Sequence, residues 1–311
     1  MSYRLASDTL EELCGISISH TKIGDIADGV AGEIATKQEH CPAFQAALRA
    51  VFQTAPGETE FSTDGTCIHI RNADGTKEWR EVKVGAFVKR LCGLYALPSE
   101  WATRKLPRPS AVSAFAAIEN KEAFQERCQQ GRRRLGVGGI TSALGDGAVW
   151  IWNLIRDIFG KTDECLDIYH ALEHVSACGK ALCGTGQSFK DWLDRVRLVL
   201  LAEGFAGIER ELEPLLETLK GKSKKQKSQR EAIESLLKYL RKNEGRLHYA
   251  ERLAAGRAIG SGLIEGACKN LIGKRMKQTG ACWRIDRANR ITRLTAALYA
   301  DNWKRCWKNY H

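Results

Sequence analysis

Three acidic residues stand out by their surroundings. Asp64 lies in STDGT and Asp146 in LGDGA, each followed by glycine where a strand is expected to close. Glu265 is the lone acid of AIGSGLIEGACKNLIGKRMKQTGACWR (residues 258–284). Gly260, Ser261 and Gly262 precede it, Lys269, Lys274, Arg275 and Lys277 follow it, and Trp283 closes the stretch. The missing side chains of the two glycines would let a helix approach a sheet edge closely. Magnesium and manganese take hard oxygen ligands and keep positions open for water or phosphate. Two carboxylates projecting from neighbouring strands and a third from a helix would hold such ions in a two-metal arrangement. Each feature also has a plainer reading. An Asp-Gly pair can be a simple turn, and Glu265 could merely offset a helix N-terminal dipole.

A second set lies in ECLDIYHALEHV, where Asp167 and His170 are followed by His174 and then Cys178 at helical spacing. The stripe could bind zinc, but no partner cluster of Cys and His appears elsewhere, and burial of the histidines is the commoner outcome. We expect Asp167 and His170 at a strand end beside the acidic residues, ordering the site. Two other glycine-containing runs carry no chemistry. GKS at 221–223 has Leu216 where a phosphate-binding loop needs glycine, and LGVGGI near 135–140 lacks both a preceding strand and the full glycine fingerprint. No G-x-S-x-G elbow is present.

The elements that would position these residues follow from the hydrophobic pattern. Residues 1–55 read as helical: Leu5, Leu10 and Leu13 share a face, Gly15 stops the segment, and Ser19 could cap a second helix. The pair resembles a helix-turn-helix, although the second helix lacks basic residues and an ordinary helical hairpin explains it as well. Pro56 and Gly57 mark a linker. FSTDGTCIHIRN and EWREVKVGAFVKR form a hairpin about Ala73-Asp74-Gly75, and AVSAFAAI (111–118) supplies a third strand. A helix over 120–134, a short buried strand over 138–144, an apolar helix in AVWIWNLIRDIF and a short strand in ECLDIYH follow. The order is that of an α/β, ribonuclease H-like mixed sheet with flanking helices. Residues from about 170 to 250 read as a helical insertion, with the polar run 221–230 expected as a solvated loop. In the last block, Cys268 and Ile272 should share the stripe of Glu265 and pack on the sheet, with Leu263, Ala267 and Leu271 off to one side. Glu251 is expected on a solvated helix, paired with Arg252 or Arg257. The expected segments are thus 1–57, helical; 58–170, the first part of the core; 171–257, the insertion; and 258–311, the core's last helices with a basic tail.

The 311 residues suit one large soluble domain or two smaller ones. Lys and Arg number 48 against 37 Asp and Glu, a net charge of +11 that favours a polyanionic partner, nucleic acid first. No apolar run is long enough to span a membrane, and the N-terminus lacks the apolar segment of a signal peptide. The 11 cysteines are scattered, odd in number and without a C-x-x-C, as in a reducing compartment.

In this order, STDGT with REVKVGAF, GDGAVWIWNL, DIYHALEH and IGSGLIEGACKNLIGKRMKQTGACW resemble a bacterial insertion-sequence transposase of the Kra type, related to the Mutator-like group. The likeness covers about residues 60 to 300, and its last block is the most specific. The resemblance implies a ribonuclease H-like fold, an Asp64–Asp146–Glu265 triad, and two Mg2+ (or Mn2+) ions. It implies DNA strand cleavage and strand transfer on transposon ends and target DNA, by a homo-oligomer assembled on DNA in the bacterial cytoplasm at the nucleoid. Asp167 and His170 match the Asp-x-x-His pair of related transposases. Lys269, Lys274, Arg275, Lys277 and Trp283 are expected to contact DNA. Family members carry a longer, cysteine-containing N-terminal region, and this chain begins inside the helical part that follows it. The rival readings are a truncated, non-catalytic DNA-binding remnant and a ribonuclease H-like nuclease that cuts without joining.

Overall fold

The computed structural model describes residues 3–221 and 223–300. The end of the expected basic tail, residues 301–311, lies outside them. The chain is mixed α/β, with a five-stranded mixed sheet and flanking helices. The strands are β1 (Glu58–Arg71), β2 (Lys77–Arg90), β3 (Ala111–Ala117), β4 (Ser142–Gly145) and β5 (Asp163–Leu166), in the order β3-β2-β1-β4-β5. β2 and β3 are antiparallel, and β4 and β5 are parallel. Among the described residues no helix is long and apolar enough to cross a membrane.

The residues divide into two compact units. The first takes in the described residues up to Lys89, with Pro109–Gly139 and those from Gly262 onward; the second takes in Arg90–Arg108 and Ile140–Ser261.

In the first unit, α1 (Tyr3–Cys14), α2 (His20–His40) and α3 (Pro42–Thr54) precede the hairpin. Ser19 caps α2 as expected, its hydroxyl accepting from the Lys22 amide at 3.2 Å. This helical segment is built into the unit. Arg49 and Gln53 of α3 donate to the last carbonyls of α4 (Lys121–Leu135), where Gly136 turns the chain at φ 67°. α2 packs against α12 (Ile285–Tyr299). The hairpin turn falls at Asn72–Thr76, held by the Asp74 carboxylate accepting from the Thr76 amide at 2.9 Å. The alternating Ile68 and Ile70 of β1 join Val82, Val84, Ala86 and Val88 of β2 in one apolar core. That core is closed by Ile264 and Ala267 of α10 (Gly262–Ala267), by Leu271 and Ile272, by Met276 of α11 (Lys274–Met276), and by Ala288, Ile291 and Ala296 of α12.

The second unit holds β4, β5, α5 (Val149–Phe159), α6 (Ile168–Cys183), α7 (Gln187–Thr218), α8 (Lys224–Lys242) and α9 (Tyr249–Ala254). α5 buries Ile151, Trp152, Leu154, Ile155 and Ile158, as its apolar run requires. Several expectations are corrected here. The strand expected over 138–144 spans only 142–145. The strand in ECLDIYH stops at Leu166, because Asp167 caps α6 and commits the rest to helix. The polar run 221–230 is no loop from Lys224 onward. Ser223 caps α8 by accepting from the Gln226 amide at 3.2 Å, and the run becomes its first, solvated turns. Arg252 and Arg257, the partners expected for Glu251, both take Asp163.

The Asp163 cluster ties α9 and the loop after it to the start of β5. Asp163 accepts from His248 Nε2 at 2.6 Å, from Arg257 at 3.3 Å, and from the almost fully buried Arg252. Arg252 also donates to the Ala258 carbonyl at 2.8 Å and to Ser142 Oγ at 3.2 Å. Burial alone would raise the Asp163 carboxyl, but the His248 hydrogen bond and the charges of Arg252, His248 and Arg257 outweigh it and hold it below the usual range. Its folded-state pKa is therefore depressed. The stability it contributes is present above the unfolded value of about 3.9 and is lost as pH falls toward the folded value. Asp163→Asn strands the buried Arg252 charge and should cost about 3–5 kcal/mol in denaturant unfolding at pH 7. The variant should also lose less stability than the parent as pH falls from about 5 to about 3, because the titrating carboxylate is gone. A near-parental midpoint would show that Arg252 has found another counter-charge.

Candidate carboxylate and metal site

In the first unit Asp64 sits inside β1, not at a strand end, where the buried run Thr59–Thr63 gives way to half-buried positions. Its Oδ1 accepts from the Gly65 amide at 2.6 Å. A Cβ at Gly65 would displace the half-exposed Glu81 carboxylate, which now lies over it. The Asp64-Gly65 pair thus lies within a strand and is not a turn.

Glu265 lies in α10, and Cys268 follows at the start of a π-helical turn, Cys268–Gly273. The Cys268 thiol donates to Asp64 Oδ2 at 3.5 Å. Burial pushes that thiol well up, with Asp64 and then Glu265 adding to the shift and Lys277 opposing it. Cys268 is therefore a neutral thiol set against the Asp64 carboxylate. The wide turn alters the expected faces. Ala267 and Leu271, expected off to one side, are fully buried beside Ile272, because a π turn adds a residue to the helical repeat and brings consecutive positions onto one face. The expectation for Gly260-Ser261-Gly262 is corrected as well. A Cβ at Gly262 would meet nothing, whereas one at Gly260 would stand 2.9 Å from the Tyr169 ring, so the close approach is made at Gly260 and against an aromatic ring.

In the second unit Asp146 and Asp167 follow paired residues, Gly145 and Leu166, at the C-terminal ends of parallel β4 and β5. The Asp167 amide donates to the Gly145 carbonyl at 2.8 Å. Asp146 ends its strand in a true turn, with Gly147 at φ 91° and the Ala148 amide donating to Asp146 Oδ1 at 2.8 Å. Asp167 is fully buried. Its Oδ1 accepts from the Tyr169 amide and its Oδ2 from the Ser261 amide, both at 2.6 Å, and Ser261 Oγ donates to the same Oδ2. Asp167 thus orders the Ala258–Ser261 strip.

Tyr239 of α8 carries no sequence signal, since nothing in the leucine-rich SLLKYLRK marks it. Its hydroxyl donates to the Asp146 carbonyl at 3.0 Å, and burial followed by the charges of Asp146, Asp167 and Glu173 raises its pKa. His174 stacks on its ring at 3.7 Å between centroids, and burial lowers the imidazole's pKa, which keeps it neutral at physiological pH. Cys178 is buried and its thiol is pushed up to about 12. His174 and Cys178 are thus committed to packing. His170 Nδ1 lies 3.5 Å from Glu173.

Of the residues expected at the site, Asp64 and Glu265 belong to the first unit, and Asp146, Asp167 and His170 to the second. Among the described residues the His170–His174–Cys178 stripe forms no group that could hold a metal ion. The carboxylate oxygens of Asp64 and Glu265 are the hard donors that magnesium or manganese takes.

Of the residues expected on DNA, Lys269, Lys274, Arg275 and Lys277 are all exposed. Lys277 Nζ donates to Thr66 Oγ1, close along β1 to Asp64. Trp283 is pinned: its amide donates to the His69 carbonyl at 2.9 Å, its carbonyl accepts from the Arg71 amide at 2.8 Å, and its indole N–H donates to the Met276 carbonyl at 3.1 Å.

No family model matches the chain, and no curated protein matches it.

Ser261→Ala removes one donor to a buried carboxylate and leaves the backbone donor in place. It should lower stability by about 1.5–3 kcal/mol, the worth of a hydrogen bond to a charged group, read as a shift in the denaturation midpoint. An unshifted midpoint would mean that the Ser261 amide alone satisfies Asp167 Oδ2.

Proposed function

We propose that the chain is a DNA transposase of the insertion-sequence kind, with a ribonuclease H-like core related to the Kra-type and Mutator-like enzymes. One observation carries the reading: the thiol of Cys268, three residues after Glu265 and far along the chain from β1, meets the Asp64 carboxylate of that long strand at 3.5 Å. Paired carboxylates brought together from strand and helix, with Lys277 alongside, suit a phosphodiester held at a divalent ion. Asp146 and Asp167 at the ends of β4 and β5 support it, because ligands of such sheets gather at the carboxyl ends of their strands.

In this reading Asp64, Asp146 and Glu265 would hold two magnesium or manganese ions, which would supply Lewis-acid activation of the attacking oxygen and charge stabilisation for the leaving one. Protein side chains do the rest by position. Cys268 stays protonated and donates to Asp64, keeping that carboxylate turned to one side, and Lys277 neutralises phosphate near Thr66. Asp167 fixes the Ala258–Ser261 strip that leads along the chain to Glu265. No protein nucleophile is needed, since water attacks the phosphodiester and the freed 3′-hydroxyl then attacks target DNA in line. The partners are transposon ends and target DNA, and the working form is a homo-oligomer on DNA in the bacterial nucleoid.

Cleavage and strand transfer on a labelled DNA end, in magnesium, test the reading. Asp64→Asn and Glu265→Gln should each slow both steps by about a hundred- to a thousandfold, as for other groups that stabilise transition-state charge, with the fold retained. Cleavage without joining would make the chain a nuclease, and binding with neither step would make it a DNA-binding remnant. Neutralising Lys269, Lys274 and Lys277 should flatten the salt dependence of duplex binding by about 0.9 in log–log slope for each phosphate no longer neutralised. An unchanged slope would remove these lysines from the interface.

A further inference from the structure

The first unit contains an open cleft of about 700 Å3 that the catalytic reading does not use. Its walls carry four arginines, Arg275, Arg284, Arg287 and Arg290, against two aspartates, Asp28 and Asp286. Arg287 and Arg290 both take Asp28 Oδ2, at 3.2 and 3.1 Å, and are held as wall. Among the described residues Arg275 and Arg284 have no carboxylate partner, so the cleft keeps uncompensated positive charge. Tyr3 and Trp283 supply aromatic surface. Trp283 is fixed through both its backbone groups and its indole N–H and rests half-buried on the apolar core, so the part of its ring that lines the cleft is already ordered. The Tyr3 hydroxyl and Asp28 Oδ1 have no hydrogen-bond partner among the described residues, polarity that the protein has not satisfied itself.

Fixed aromatic surface beside unpaired guanidinium groups is the combination that holds single-stranded nucleic acid, by stacking of a base and contact to its phosphates. The volume lies within the range of small-ligand sites, about 300–1,000 Å3. We infer that this cleft binds an unpaired nucleotide of a DNA strand, its base against Trp283 and its flanking phosphates at Arg275 and Arg284. The inference rests on the proposed action on DNA and adds a strand-selective subsite to it. Trp283 pairs with Ile70, six residues along β1 from Asp64. At about 3.3 Å per residue this is roughly 20 Å, so the subsite grips the strand several nucleotides from the reacting phosphate.

The test uses the full chain in EDTA, which separates it from cleavage, with a labelled oligothymidine, its abasic counterpart and a duplex of equal length. For Arg275→Gln/Arg284→Gln we expect single-strand affinity to fall about tenfold or more, with the log–log salt slope shallower by about 1.4, two phosphates at roughly 0.7 each. Duplex affinity should fall about threefold at most, because the remaining lysines serve it. The abasic strand should bind the parent protein at least about fivefold more weakly, as removal of base stacking predicts. Equal losses on single strand and duplex, an unchanged slope, or equal binding of the abasic strand would each overturn the subsite. Arg275→Lys/Arg284→Lys keeps the charge and should retain the salt slope, and the abasic comparison needs no variant, so a misfolded glutamine variant leaves the test decisive. Cleavage that fails while strand-selective binding persists would sink the transposase reading and leave the cleft.

Discussion

A fully buried carboxylate is tolerated only when its oxygens are satisfied, and Asp167 meets that condition by organising its surroundings. One oxygen starts α6 by accepting from the Tyr169 amide; the other draws in the Ser261 amide and hydroxyl. The Ile168 amide then reaches the Ile259 carbonyl at 3.0 Å. The chain between Ala258 and Ser261 is therefore laid against the head of α6, and Gly260 is required because the Tyr169 ring occupies the place of a side chain. Just beyond that strip α10 begins. Its Ile264 is buried in the apolar core, while the adjacent Glu265 stays half-exposed, where a ligand can reach it.

Much of the fold was legible where a local signal had no competitor. The hairpin about Asp74-Gly75, the apolar α5 and the Ser19 cap all follow from residue type and spacing. The departures share a cause, which is a local signal overridden by a distant one. Residues 221–230 look like a solvated loop because their charges dominate, yet Ser223 caps them and the buried Ile233, Leu236, Leu237 and Leu240 further on stabilise the helix. The strand in ECLDIYH ends early because Asp167 is claimed by a cap. Glu251 is the nearest acid in sequence to Arg252 and Arg257, but Asp163, distant in sequence, meets both where burial makes the pairing count.

The candidate site was legible in its residue types and less so in its arrangement. Asp64, Asp146, Asp167 and Glu265 stand out as acids in unusual company, and each occupies a defined structural position. Which of them approach one another depends on side-chain direction, and spacing cannot supply that. Tyr239 shows the limit most clearly. An aromatic residue in a leucine-rich helix reads as core, and only the fold shows its hydroxyl on the Asp146 carbonyl and its ring stacked with His174.

The π turn after Glu265 accounts for the part of the site that helical spacing misplaces. A regular helix would present Cys268 and Ile272 on one stripe and turn Leu271 aside. The wider turn lets Leu271 and Ile272 both enter the core while Cys268 reaches Asp64. Such turns are rare and occur frequently at functional sites. Here the core contacts of Ala267, Leu271, Ile272 and Met276 hold the turn in place. The same packing fixes the segment on which Glu265, Cys268 and Lys277 are carried, so the carboxylate, the thiol and the cation are positioned by apolar burial beneath them and not by contacts among themselves.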